Sequence, residues 1–239
     1  MPNKFIFDVD GTLTPSRAKI NPEFEKWFLD FCSRNDVYLA TGSDYDKTLE
    51  QLGKDVMMAV KRSYNCSGNS VWATGIEIYK SDWRLNEDCV FWLEKVLEQS
   101  KFPLRVGNHI EHRTGTCNFS IPGRNMLTQA ERQMYVEWDN DTGEREKIAL
   151  MFNDLFKEKY NCVALVAGET GLDIMQVGCD KSQIAKDFAY GEVVFFGDMM
   201  EPGGNDYPLK LALEDKNNQS VQITKGFNEV MNYLGEYAY

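Results

Sequence analysis

The chain has 239 residues, with 26 Lys+Arg against 37 Asp+Glu and a formal charge of −11, a balance that argues against non-specific binding to nucleic acid or to an anionic membrane surface. With 43% hydrophobic residues it can build one large core or two modest ones, and no stretch is apolar for long enough to span a bilayer. No charged-then-apolar leader opens the sequence, and Cys32, Cys66, Cys89, Cys117, Cys162 and Cys179 form no C-x-x-C pair, so a cytoplasmic protein with reduced thiols is expected.

Residues 5–7, Phe-Ile-Phe, read as a short buried strand that Gly11 and Thr12 bring to an end, and it delivers Asp8 and Asp10 to the turn. Asn21-Pro22 is a helix start, after which Phe24, Trp27, Phe28 and Phe31 recur at i, i+3, i+4 and i+7 as one apolar stripe. A second apolar strand over 37–40 runs into Thr41-Gly42-Ser43-Asp44, and a helix over about 46–52 is expected to close at Gly53. Strand, helix, strand, helix is the rhythm of a parallel sheet covered on both faces.

From about Ile76 the pattern meanders. A helix is predicted near 86–99, then short extended segments at 104–106, 110–113 and 117–121, punctuated by Gly115 and Pro122-Gly123. His109 and His112 are not at a cysteine–histidine zinc spacing and would point to opposite faces of a strand, so they read as solvated strand residues. Thr128-x-x-Glu131 is a capping box, Ile148, Met151, Phe152, Leu155 and Phe156 mark another amphipathic helix, and 163–166 is an apolar strand. The mixture suggests an antiparallel sheet with helices on one face. After Lys181 the first rhythm returns, with strands at 193–196 and 221–223 and a last helix striped by Phe227, Val230, Met231 and Leu234. The expectation is an α/β core made from 1–78 and 180–239, with 79–179 inserted as an α+β cap domain.

Open parallel sheets bind ligands in the crevice at the carboxyl ends of their strands, where Asp8 and Asp10 fall. Two close carboxylates repel unless a cation or a shared proton relieves them. Mg²⁺ is the natural partner at neutral pH, because it prefers carboxylates, water and phosphate oxygens. A bare Asp-x-Asp would read as a solvated acidic turn, but the strongly apolar strand before it favours the site.

Asp8-Val9-Asp10-Gly11-Thr12-Leu13-Thr14 resembles the first motif of the haloacid dehalogenase (HAD) superfamily of phosphotransferases. The resemblance implies a HAD-like Rossmannoid core with a parallel sheet. It also implies Asp8 as the nucleophile that becomes an aspartyl-phosphate, and Asp10 as general acid/base that binds Mg²⁺ through its backbone carbonyl. Later segments keep the family's order. Thr41 or Ser43 would hold the transferring phosphate at a strand-to-helix turn. Lys181 of Asp180-Lys181 would supply the lysine. Asp198 would complete the metal site, with Asp206 as an outer-shell or alternative ligand.

A second resemblance spans nearly the whole chain. Residues 113–124, Arg-Thr-Gly-Thr-Cys-Asn-Phe-Ser-Ile-Pro-Gly-Arg, are similar to the cap segment of eukaryotic-type phosphomannomutases, as are residues 15–20, Gln51-Leu52-Gly53 and the segments 195–198 and 202–206. It implies that Arg113 and Arg124 hold the sugar's distal phosphate, and Arg132 too if one residue is inserted before it. It implies that Arg17 touches substrate between the domains and that Asp173 contacts sugar hydroxyls. Gly171 stands where the family has a serine, Cys179 where it has a tryptophan and Thr41 where it has glycine.

By resemblance, then, the chain interconverts mannose 6-phosphate and mannose 1-phosphate with Mg²⁺, using a hexose 1,6-bisphosphate as activator and intermediate. A homodimer through the cap and a step in GDP-mannose biosynthesis are implied with it. A pocket contacting few hydroxyls would also take glucose phosphates. Two other readings stay open: a sugar-phosphate phosphatase on the same scaffold, and a binding protein that keeps the fold without catalysis. A phosphate clamp at the far end favours the mutase over the first, and the full set Asp8, Asp10, Lys181 and Asp198 speaks against the second.

Overall fold

The computed structural model describes residues 4–124, 127–188, 192–214 and 218–235. The chain forms two compact units, Met1–Ser81 with Gly178–Tyr239, and Asp82–Val177. No helix among the described residues is long and apolar enough to cross a membrane.

The first unit is built on β1 (Lys4–Phe7), β2 (Asp36–Ala40), β3 (Arg62–Asn65), β4 (Ser70–Ala73) and β5 (Ile76–Lys80), joined late in the chain by β10 (Val193–Gly197) and β11 (Gln219–Gln222). They form one seven-stranded sheet in the order β11-β10-β1-β2-β3-β4-β5. The strands from β11 to β3 are parallel; β4 and β5 add on antiparallel. Side chains alternate across a strand, so Phe5 and Phe7 enter one core and Ile6 the other. On the first face Phe7 meets Phe28 edge-on at 5.4 Å and stacks on Phe196 at 4.9 Å. That core is closed by α1 (Pro22–Arg34), α2 (Tyr45–Ala59) and α7 (Phe227–Gly235). A 3-10 helix (Lys181–Phe188) and α6 (Tyr207–Glu214) close the other. Each buried Phe contributes about 1.5–3 kcal/mol, so a strand covered on both faces reads as an unbroken apolar run.

One expectation for this unit is corrected. Gly53 does not close the second helix: it interrupts α2 with φ 79° and ψ 162°, and the helix resumes to Ala59 because Val56 and Met57 are buried in the core beyond it. The sheet also gains β3, β4 and β5, with sequences RSYN, SVWA and IEIYK, where no strand was expected.

The second unit holds α3 (Glu87–Gln99), β6 (Asn108–Arg113), β7 (Thr116–Arg124), α4 (Gln129–Thr142), α5 (Glu144–Tyr160), β8 (Cys162–Ala167) and β9 (Gly171–Gln176). Its four strands form an antiparallel sheet in the order β6-β7-β9-β8. Residues 104–106, expected as a strand, are irregular, although the Val106 N–H donates to the Pro122 carbonyl at 2.9 Å. The capping box opens α4: Thr128 Oγ1 accepts from the Glu131 N–H, and the Glu131 carboxylate accepts from the Thr128 N–H. Cys117, Phe119, Leu172 and Ile174 pack with Leu93, Tyr135, Phe152 and Phe156 in one core. The face that alternates with these positions carries Glu111, Asn118 and Asp173, with Leu165 beside them.

Candidate active site

The apolar pairing of β1 with β2 and β10 sets Phe7 between Leu39 and Phe196, so the segments that follow all three strands leave the same end of the sheet. Asp8 is the first residue beyond β1, and its N–H donates to the Phe196 carbonyl at 2.8 Å. The chain then folds back, with the N–H groups of Leu13 and Thr14 donating to the Val9 carbonyl at 3.0 Å each. Gly11 sits in this turn at φ 84°, and a Cβ there would fall 2.1 Å from Asp198 Oδ2. Only glycine lets the turn lie against the Asp198 carboxylate.

Lys181, at the start of the 3-10 helix, is 1% exposed and donates from Nζ to Asp8 Oδ1 and to Asp206 Oδ1, at 2.6 Å each. Asp206 accepts a further bond at Oδ2 from the Met199 N–H, 3.1 Å. Burial pushes the Asp8 carboxyl up to about 7; Lys181 pulls against it, and Asp206 and Asp198 add to the rise. Burial works against the Lys181 charge, but Asp8 and Asp206 outweigh it and raise its pKa. Asp198, half-buried, is also raised, by burial first and then by Asp206.

Oxygens of Asp8, Asp198 and Asp206 lie within 4.8 Å of one another. A donor set made only of carboxylates suits a hard divalent cation of the Mg²⁺ kind. Both Asp206 oxygens already accept hydrogen bonds, which leaves Asp8 and Asp198 the freer of the three.

The side chain of Asp10 lies outside that cluster. Its Oδ1 accepts from the Arg17 N–H at 2.6 Å and from Gln51 Nε2 at 2.9 Å. Arg17 reaches it with a positive φ of 60°, and the Ile20 N–H donates to the Gln51 carbonyl at 2.8 Å, so Gln51 ties Asp10 and the segment after it to α2. After β2, Thr41 is buried and its Oγ1 accepts from the Ser43 N–H at 3.1 Å. The Ser43 carbonyl accepts from the Cys66 N–H and from Asn65 Nδ2.

In the second unit, register puts Glu111 opposite Asn118, Asn118 opposite Asp173 and Asp173 opposite Leu165, one row across the sheet. Arg113, two residues beyond Glu111, shares its face. Arg113 Nε donates to Glu111 Oε2 at 3.0 Å, and its Nη2 reaches the same oxygen. Arg124 Nε stands 3.6 Å from that oxygen while its Nη1 donates to Asn118 Oδ1 at 2.9 Å. Asn118 in turn donates from Nδ2 to Asp173 Oδ1 at 2.6 Å. Burial first, then the Arg113 charge, lowers the pKa of Arg124; Arg132, in the first turn of α4, adds to the like-charge repulsion. A Cβ on Gly171 would fall 2.9 Å from Asn118 Nδ2, so the missing serine leaves the space that the Asn118 amide fills.

The sequence reading thus gathers Asp8, Lys181, Asp198 and Asp206 at one point in the first unit, and Arg113, Arg124, Asp173 and Gly171 on one face of the second. It missed Gln51, Glu111 and Asn118. Asn118 could have been found, because Asn118 and Ser120 alternate with the apolar Cys117, Phe119 and Ile121. His109 is half-buried rather than solvated, with Nδ1 3.0 Å from the Ser120 carbonyl oxygen.

A parallel sheet with these carboxylates and a buried lysine at its carboxyl end, carrying a separate α+β unit, is the architecture of the haloacid dehalogenase superfamily. A haloacid dehalogenase-like hydrolase from Bacteroides thetaiotaomicron superposes with a TM-score of 0.60 over 98% of this chain and 100% of its own, at 12% identity. The trehalose-6-phosphate phosphatase of Aspergillus fumigatus gives 0.57 over 92% and 81%, at 16% identity. The match that separates this chain from the wider superfamily lies in its sequence: the eukaryotic phosphomannomutase family model covers residues 24–225. A probable phosphomannomutase of Caenorhabditis elegans is 32% identical over 85% of this chain and 84% of its own. The phosphomannomutase of Saccharomyces cerevisiae is also 32% identical, over 85% and 83%. The chain belongs to the eukaryotic phosphomannomutase family.

Proposed function

We propose that the protein is a Mg²⁺-dependent phosphohexomutase that interconverts mannose 6-phosphate and mannose 1-phosphate, with glucose phosphates as further substrates. The observation that carries this reading is the division of labour between the units: a nucleophile-bearing carboxylate cluster in one, and a row of arginines able to hold a second phosphate in the other. A phosphatase needs one phosphate site; a mutase needs two.

In this reading a hexose 1,6-bisphosphate gives one phosphoryl group to Asp8, forming an acyl phosphate and releasing hexose monophosphate. The sugar monophosphate then binds with its phosphate on Arg113, Arg124 and Arg132 and its hydroxyls near Asp173. Asp10, held at Oδ1 by the Arg17 N–H and Gln51, takes the proton from the attacking sugar hydroxyl as the phosphoryl group leaves Asp8. The bisphosphate so formed turns round and returns its other phosphate to Asp8. Lys181 donates to Asp8 Oδ1 and faces the phosphoryl charge, with Thr41 or Ser43 beside it. Asp8, Asp198 and the Asp10 main chain would hold Mg²⁺, with Asp206 behind, and the ion would neutralise the transferring phosphoryl oxygens.

Labelled glucose 1,6-bisphosphate followed by an acid quench tests the covalent step. Label should appear on the protein and disappear in Asp8→Asn. Label that persists in that variant would move the nucleophile elsewhere.

A further inference from the structure

We propose that Glu111 is a built-in counter-ion of the arginine pair, an internal competitor that loosens the hold on phosphate so that a sugar bisphosphate can leave and turn round. It rests on the reading of Arg113 and Arg124 as the distal phosphate clamp.

One oxygen, Glu111 Oε2, serves both guanidinium groups. It takes Nε and Nη2 of Arg113, the fork that would otherwise grip a phosphate bidentately, and lies 3.6 Å from Arg124 Nε. The side chains are 38% (Arg113), 30% (Arg124) and 28% (Glu111) exposed. They are open enough for an anion to enter, yet sheltered enough for charge to matter beyond a surface pair. Placement keeps the Glu111 carboxylate within reach of both arginines. Its backbone is fixed opposite Asn118, and Asn118 is itself held between Arg124 and Asp173.

An arriving dianion must therefore displace the carboxylate from Arg113 or share the arginines with it against like-charge repulsion. A protein selected only to bind a sugar phosphate would gain by losing Glu111. A mutase does not, because tight ground-state binding at the far end lowers KM without speeding transfer, and it slows the release on which reorientation depends. Arg113 and Arg124 also repel, and Glu111 relieves that repulsion while the clamp is empty. The two effects have opposite signs on removal. If relief of repulsion dominates, loss of Glu111 weakens the clamp; if competition dominates, loss of Glu111 strengthens it. The exclusive use of the Arg113 fork by Glu111 favours competition.

The test is a titration of the full chain with inorganic phosphate, followed through the side-chain Nε–H NMR signals of Arg113 and Arg124, each assigned with its lysine variant. Glu111→Gln keeps the shape and an acceptor oxygen but removes the charge. It should tighten phosphate at these two arginines by about two- to fivefold, the scale of a partly exposed ion pair. In turnover the same variant should lower both KM and kcat for mannose phosphate, a split that a folding defect would not produce. Glu111→Ala, with its thermal melt compared to the parent, should reproduce the tighter binding. Phosphate that shifts both signals with equal or weaker affinity in the variants would overturn the role of Glu111 and leave the clamp standing. Phosphate that shifts neither signal would overturn both.

Discussion

Lys181 Nζ and Asp8 Oδ1 lie 2.6 Å apart although 173 residues separate them in sequence, and the Lys181 side chain has no exposed surface. Asp8 directly follows β1, Asp206 stands just before α6, and a 3-10 helix delivers the base. Lys181→Met would leave Asp8 and Asp206 facing each other in a buried site with no cation. Breaking a buried pair in this way costs about 3–5 kcal/mol. Urea denaturation should show that loss, together with loss of phosphoenzyme; a loss under about 1 kcal/mol would mean the pair is not buried as described.

Stability should depend on pH with a sign set by Asp8. Burial raises its carboxyl to about 7, above the unfolded value of about 3.9. The native state keeps this proton where the unfolded chain has lost it, so stability falls as pH rises from about 4 to about 7. Asp198 is raised too and acts with the same sign, while Lys181, also raised, stays charged throughout that range. Mg²⁺ favours the ionised carboxylates, so it should flatten the slope and, at a hundredfold excess over Kd, add about 2.7 kcal/mol. Thermal melts between pH 5 and 8, with and without Mg²⁺, read this directly. A Mg²⁺ response that survives intact in Asp198→Asn would remove Asp198 from the metal site.

Gln51→Leu keeps a buried side chain of similar size in α2 but removes the amide that donates to Asp10 Oδ1 at 2.9 Å. A hydrogen bond to a charged group is worth about 1.5–3 kcal/mol, which corresponds to about a ten- to hundredfold fall in kcat. KM should change little, since Gln51 faces Asp10 and Thr14. A large rise in KM with kcat unchanged would place Gln51 in binding rather than in orienting the base.

Gly171→Ser restores the hydroxyl that the resemblance leads one to expect, yet its Cβ would fall 2.9 Å from Asn118 Nδ2 and 3.3 Å from the Phe119 carbonyl oxygen. The Asn118 amide must move, and with it the link from Arg124 to Asp173. KM for mannose 6-phosphate should rise by up to about ten- to hundredfold, the roughly 1.5–3 kcal/mol of one displaced hydrogen bond to a charged group. An unchanged or lower KM would show that Asn118 does not position the arginine.

Arg124→Ala should raise KM for hexose monophosphate by about tenfold or more while leaving label transfer to Asp8 from the bisphosphate largely intact. An unchanged KM in steady-state assays would take Arg124 out of the clamp.

What was legible in the sequence follows from how each part is stabilised. β1, β2 and β10 are buried on both faces, so their apolar runs and the carboxylates at their ends stand out. β3 is not legible, because its buried Ser63 and Asn65 are polar: Ser63 Oγ donates to Asn65 Oδ1, and Asn65 Nδ2 reaches across to Thr48 Oγ1 at 2.8 Å. Gln51 looks like any polar helix residue until the fold brings Asp10, 41 residues earlier, against it. Glu111 acquires meaning only from the register that lets it share an oxygen between Arg113 and Arg124. Local pattern marks where a strand ends; the pairing of distant side chains sets what happens there.

Phosphorus NMR of the purified protein with Mg²⁺, mannose 1-phosphate and a trace of glucose 1,6-bisphosphate tests the central claim most directly. Conversion to mannose 6-phosphate, absent in Asp8→Asn, is the expected result. Release of inorganic phosphate with no mannose 6-phosphate formed would contradict it and make the protein a phosphatase on a mutase scaffold.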